Sequence, residues 1–227
     1  MGTLKRRGAK YHCITYHLPR EHLDEDVALL LGLHVGDGWL SDKWGIMCEK
    51  VESSMIKKII LLAREVLGVE PIIGEYKEGY IMIRSGQRQV RDFLRGYYIP
   101  QGRKAGKIRV PKQILRSDNP AIIKSFMCGL FSTDGCFSFQ NDRGPRVEIQ
   151  VKSQKLRNDF VYLADRLGFS FRSYEYLPPR GKNKAPLQVA YTTQSGQCVR
   201  WMEEVGSIKD SHIKRFGRWK KIIETVG

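Results

Sequence analysis

Apolar positions along the chain fall into two series of helical and alternating runs. Behind Asp24, placed to cap a helix, Val27, Leu30, Leu31 and Val35 recur at helical spacing. A strand is expected around Trp44 to Lys50, then an apolar-periodic helix from Ser53 to Leu67. Alternation in Tyr80-Ile81-Met82-Ile83 marks a further strand. Asn119-Pro120 opens the second series, a cap followed by proline at the first helical position, with Ile122, Ile123, Phe126 and Leu130 behind it. A strand over Val147 to Lys152, a helix over Leu156 to Leu167 and an alternating strand over Leu187 to Tyr191 follow. Between the series, Tyr98 to Pro111 is rich in glycine, proline and basic residues and reads as a join.

The two series are copies. LLGLHVGDG (Leu30 to Gly38) and MCGLFSTDG (Met127 to Gly135) are apolar runs with an interior glycine that end in Asp-Gly, and Asp37 and Asp134 stand 97 positions apart. Leu67-Gly68 matches Leu167-Gly168 at an offset of 100, and Ser85-Gly86-Gln87 matches Ser195-Gly196-Gln197 at 110. The growth in offset falls near residues 141–144 and in Pro178 to Lys184. Each half reads helix, two strands, helix, two strands, helix. The expected organisation is a basic extension over 1–22, a first repeat over 23–100, a join over 101–118 and a second repeat over 119–227.

Charge narrows the partners. Lys and Arg total 39 against 24 Asp and Glu, a net +15 in 227 residues, which favours a polyanion and argues against a plain metabolic enzyme. The five cysteines carry no C-x-x-C pair, so buried thiols in a reducing compartment are expected. The five histidines do not cluster by spacing, and His34, inside the first motif, is expected to pack or to hydrogen-bond. No long apolar run suggests a signal peptide or a membrane span.

The repeated motif carries the chemistry. Gly32 and Gly36 in one copy, and Cys128 and Gly129 in the other, give each helix a face with little side chain, so that two such helices can pack backbone to backbone. An Asp then stands at each C-terminal end, where the helix dipole favours cations, and the glycine after it permits a sharp exit. Two adjacent carboxylates repel unless a divalent cation lies between them. In so basic a chain that pairing suggests magnesium-assisted phosphodiester hydrolysis.

Both segments resemble the LAGLIDADG motif, and the chain from Leu23 to about Trp219 resembles a monomeric, two-repeat LAGLIDADG homing endonuclease. The motif's final acid falls on Asp37 and Asp134, while Val35 and Ser132 occupy its earlier acidic position. The resemblance implies an α+β fold of two pseudo-symmetric αββαββα repeats, with the motif helices packed at the centre. It implies two antiparallel saddle-shaped sheets set in the DNA major groove, over a long asymmetric target of roughly twenty base pairs. Both strands would be cut, leaving four-nucleotide 3′ overhangs, in intron homing. The implied cofactor is Mg2+, with Mn2+ substituting and Ca2+ binding without efficient cleavage. The implied partners are double-stranded DNA and possible host intron RNA, with no membrane and no obligate protein partner. The implied setting is the cytoplasm of an archaeon or microbe, or an organelle. An RNA maturase that assists splicing, or a non-cleaving DNA-binding protein of the same fold, are the alternatives.

The resemblance also assigns residues. Asp37 and Asp134, with Gly36 and Thr133 beside them, would hold the metal. Gln150, its first-half counterpart Lys50, and the basic residues Lys107 and Lys214 would support catalysis. Alternation and closeness to the hairpins select Trp39, Ser41, Lys43, Glu75, Lys77, Tyr80, Arg84, Ser138, Gln140, Arg146, Arg172, Tyr174, Arg180, Lys182 and Gln188 for DNA contact. Arg215, in the basic run Lys209 to Lys221, would grip phosphate.

Overall fold

The structure, a computed structural model, describes residues 16–50, 52–77, 79–140, 144–177 and 186–226. The first half runs α1 (Glu25–Asp37), β1 (Gly38–Leu40), β2 (Gly45–Lys50), α2 (Ser53–Glu65), β3 (Ile72–Lys77), β4 (Tyr80–Ser85) and α3 (Arg88–Gly96). After a short α4 (Lys112–Leu115), the second half repeats it: α5 (Pro120–Asp134), β5 (Gly135–Gln140), β6 (Gly144–Val151), α6 (Gln154–Arg166), β7 (Arg172–Tyr176), β8 (Leu187–Thr192) and α7 (Ser195–Glu204). The strands form two antiparallel four-stranded sheets, ordered β1-β2-β4-β3 and β5-β6-β8-β7. The expected α+β architecture of two αββαββα repeats is the one observed.

Both motif helices start where the sequence places their caps. Asp24 Oδ1 accepts from the Val27 amide at 2.8 Å, and Asn119 Oδ1 from the Ala121 amide at 2.9 Å. Their shared seam holds the molecule together. Every residue from Val27 to Val35 is buried, too many for one amphipathic face, because α1 meets α5 as well as its own sheet. Glycine makes the approach possible. A Cβ on Gly32 would lie 2.1 Å from the Phe126 carbonyl oxygen, and one on Gly129 would lie 2.4 Å from that of Leu29. The second half adds an aromatic core, with Phe131, Phe160, Phe169 and Phe171 packed around a fully buried Trp201 at ring-centre distances of 5.0–5.5 Å.

Three features depart from the expectation. The join is not a spacer, since Ile108, Val110 and Ile114 are buried in the core and Ser153 Oγ donates to the Ile108 carbonyl at 2.6 Å. A further helix, α8 (Asp210–Val226), follows the second repeat, and its Phe216 and Trp219 rings pack on Phe137 of β5. Its N-terminus reaches the first half, where Glu52 Oε1 accepts from the Ser211 amide at 2.8 Å. The glycines after the motif acids are extended rather than left-handed, with Gly38 at φ −78° and Gly135 at φ −90°. They are needed for space: a Cβ on Gly38 would lie 2.4 Å from the His34 ring, and one on Gly135 2.2 Å from that of Phe131.

Candidate metal centre and nucleic-acid interface

The two motif helices bring their C-terminal ends together. A Cβ on Gly36 would lie 1.9 Å from Thr133 Oγ1 and 3.4 Å from Asp134 Oδ2, so the end of α1 touches the acid of α5. Burial and the negative charge of Asp37 push the Asp134 carboxyl up to about 7, against the opposing pull of Lys104 and Lys209. Asp37 is exposed and Asp134 partly so, which leaves the pair reachable from outside.

A lysine from the join completes this floor. Lys104 Nζ donates to the carbonyl oxygens of His34, Val35 and Gly36 at 2.6, 2.6 and 2.8 Å, gathering the open end of α1 on one ammonium. Burial lowers its pKa to about 8, while Asp134 and Asp37 act to raise it. Lys107, the expected first-half base, is exposed three residues on. In the second half, Lys209 acts on Asp134, whereas Lys214 is exposed on α8.

The expected metal neighbours behave differently from each other. The Gly36 carbonyl already accepts from Lys104, which leaves one lone pair for a cation. The Thr133 hydroxyl turns into its own helix and donates to the Leu130 carbonyl at 2.9 Å. Among the described residues no group of three His, Cys, Asp or Glu side chains could hold a metal. Two carboxylates whose charges oppose each other nevertheless fit a magnesium ion that takes its other ligands from water and a substrate phosphate.

Strand register sorts the expected DNA contacts by face. On the first sheet Trp39, Arg84 and Ile72 stack across one face by register, and Lys50, Tyr80 and Lys77 continue it. Trp39 is exposed, and the Arg84 guanidinium lies 4.7 Å from the Trp44 ring centre. On the second sheet Ser138, Arg146, Gln150, Arg172 and Tyr174 share the face turned away from the buried Val147 and Ile149. Two expectations fall on the wrong face. Glu75 pairs with Ile81 on the face of Ile83, though itself exposed at the edge, and Gln188 is 4% exposed and donates to Glu175 Oε2 at 2.7 Å on the helix-covered side. One residue of offset reverses a strand's faces, and on β3 a bulge between Glu75 and Lys77 supplies it.

The remaining candidates are quickly placed. Ser41 Oγ accepts from the Trp44 amide at 2.9 Å, closing the β1–β2 turn from which Lys43 projects. Arg215 Nη1 reaches the Phe137 carbonyl at 3.5 Å along the edge strand β5. Gln150 is exposed and donates to Glu148 Oε1 at 3.1 Å. Lys50, Lys77 and Gln140 are placed by backbone register, their side chains lying outside the described residues, as do Arg180 and Lys182 altogether.

Known proteins share this arrangement. Residues 121–206 match the family model of a LAGLIDADG-like domain. The homing endonuclease I-DmoI, solved in complex with DNA and Mn, superposes with a TM-score of 0.55 at 15% identity over 82% of this chain and 98% of that one. The N-terminal LAGLIDADG domain of DUF199/WhiA gives 0.54 at 16% identity, covering 84% and 87%. The homing endonuclease I-WcaI, bound to its DNA recognition sequence, gives 0.51 at 16% over 85% and 84%. The chain has the two-repeat LAGLIDADG fold.

Within that LAGLIDADG fold, Lys104 and Lys209 are the charged neighbours of the paired acids that spacing did not reveal. Each lies in a loop after the last helix of a repeat, where no period guides the eye. Gly102 and Gly206 both take positive φ shortly before the two lysines, but the counterpart of Gly206 after α3 is Tyr98, so no matched turn in the sequence marks them. His34 is 3% exposed against Gly38, its Nε2 has no hydrogen-bond partner among the described residues, and burial beside Lys104 lowers its pKa to about 3. It is a neutral packing residue.

Proposed function

We propose that this protein is a site-specific double-strand DNA endonuclease that hydrolyses phosphodiester bonds with Mg2+. The observation that carries this reading is the convergence of Asp37 and Asp134 at the paired ends of α1 and α5, between two sheets with uncovered faces. A regulator of the same fold has no need of both acids, and two carboxylates that repel each other cost stability unless a cation joins them.

The residues divide the work. Asp37 and Asp134 would hold the metal, with the free lone pair of Gly36 and the Thr133 carbonyl beside it. Bound there, Mg2+ would supply positive charge to the scissile phosphate and acidify water. Asp134 would serve as its carboxylate, the form that Lys104 and Lys209 favour. Lys104, with its three donors committed to the end of α1, and Lys209 act through their charge, favouring the ionised acids and a negative phosphate beside them. Gln150 and Lys50 lie farther along β6 and β2 and position water or the backbone. The two sheets span the major groove on either side, and Lys43, Arg215 and α8 grip phosphates. The finer expectations belong to the same proposal: a long asymmetric target, four-nucleotide 3′ overhangs, intron homing, and replacement of Mg2+ by Mn2+ but not by Ca2+.

A bind-and-cut selection tests the reading. The full chain is incubated with a double-stranded library covering its source genome in Mg2+, and new DNA ends are sequenced. One recurring site with paired ends is expected. Retention of specific DNA with no new ends in Mg2+ or Mn2+ contradicts it and turns attention to RNA splicing.

A further inference from the structure

The uncovered face of the second sheet carries a side-chain cluster centred on Arg146 and Glu148, neither of which the metal chemistry uses. Arg146, Glu148 and Gln150 alternate along β6, with Tyr191 of β8 opposite Glu148 and Tyr174 on β7 beyond it. Arg146 Nε donates to Glu148 Oε2 at 2.6 Å, and Nη2 donates to the Tyr174 hydroxyl at 3.2 Å. The guanidinium carbon lies 4.2 Å from the centre of the Tyr191 ring, which Tyr174 meets edge-on at 5.5 Å. Gln150 holds the other oxygen of Glu148 and keeps the carboxylate from turning away.

A guanidinium gripped on its Nε edge, at one Nη and on one face has lost most of its torsional freedom before any ligand arrives. What it still offers is its outer end. Among the described residues no acceptor takes the Nη1 hydrogens, and one Nη2 hydrogen is also left over. That end is a planar pair of donors, matched to two adjacent acceptors. In the major groove only guanine presents two acceptors on one base edge, O6 and N7.

A phosphate would also accept such a fork, but the strand position argues against one. β6 is an inner strand flanked by β5 and β8, so its side chains face the floor of a groove rather than its walls. The first sheet provides a contrast. Register places Ile46 where Glu148 stands and Trp44 at the position of Arg146, and Arg84 lies over Trp44 with no carboxylate bonded to it among the described residues.

We propose that Arg146 is a specificity-determining residue that reads one guanine in the major groove beneath the second repeat, in an orientation preset by Glu148, Tyr174 and Tyr191. The assignment rests on the DNA-endonuclease reading and identifies one base of its target. The test is an in vitro selection of double-stranded DNA by the full chain in EDTA, with wild type, Arg146→Gln and Arg84→Gln in parallel. Arg146→Gln keeps a donor for Glu148, and a melting curve confirms that it folds. Wild type should require guanine at one position in one half-site. Arg146→Gln should lose that preference by roughly 5- to 150-fold, with adenine favoured at the same position and the other positions unchanged. Arg84→Gln should leave that position alone. Equal weakening at every position, or an unchanged profile, would overturn the assignment while leaving a DNA-binding protein. A wild-type chain that enriches no sequence would overturn the endonuclease reading as well.

Discussion

Replacing Gly32 by alanine should unseat the metal centre from a distance. A Cβ at residue 32 would lie 2.1 Å from the Phe126 carbonyl oxygen and 2.9 Å from the Leu130 amide nitrogen, both backbone atoms that no rotamer change can move. Restoring an ordinary contact requires α1 and α5 to part by about 1 Å, and overpacking of this kind costs about 1–3 kcal/mol. Alanine returns up to about 1 kcal/mol through its better helix propensity, so the net loss is about 0–2 kcal/mol. In a chain of this length that lowers the melting temperature by up to about 8 °C. The same parting shifts Asp37 relative to Asp134, and a displacement of about 1 Å at a reacting centre costs on the order of 100-fold in rate. Gly217→Ala is the matched control. It lies inside α8 with nothing near its Cβ position, and it should stabilise by about 1 kcal/mol. Melting curves and single-turnover cleavage of both variants decide the matter. A Gly32→Ala protein that melts higher than wild type and cuts at full rate would refute the close-packed seam.

Other perturbations address the charges and the core. Because Asp134 is pushed up to about 7, the folded state keeps a proton there that the unfolded chain releases near 4, so wild-type stability falls as pH rises across that window. Without metal, Asp134→Asn should therefore gain on wild type from pH 5 to 7 and level off above, by at most about 4 kcal/mol; a gap independent of pH in denaturant titrations contradicts the shift. Lys104→Met removes the ammonium from three helix-end carbonyls and both acids, and should cost about 2 kcal/mol and about 100-fold or more in cleavage, whereas Lys107→Met should change neither. Trp201→Ala empties the centre of an aromatic cluster and should cost about 3–5 kcal/mol. Trp201→Phe should cost much less, since the indole Nε1 has no partner among the described residues, and urea unfolding would show whether that ordering holds.

Much of the fold was legible because the chain states it twice. Asp24 and Asn119 start their helices as read, and the two Asp-Gly motifs end up at one seam. What escaped has physical causes. Lys104 reaches α1 from a loop, and its role depends on a tertiary approach that no local spacing encodes. Alternation and closeness to the hairpins select Gln188 and Glu75, but Gln188 faces the helices and a bulge on β3 sets Glu75 on the opposite face from Lys77. α8 hid behind its basic residues, although His212, Phe216 and Trp219 recur at helical spacing and all pack inward. Gly38 and Gly135 were read as conformational necessities and are instead places where a side chain would strike a ring.

The most direct test of the paired-acid centre uses a plasmid bearing the recovered site, incubated with the full chain in Mg2+, in EDTA, and with Asp37→Asn or Asp134→Asn in place of wild type. The account predicts one linear product with four-nucleotide 3′ overhangs for wild type in Mg2+, and none in EDTA. Either single substitution should abolish double-strand cleavage while specific binding persists. Linear product in EDTA, or from a chain that lacks one of the two acids, would contradict it.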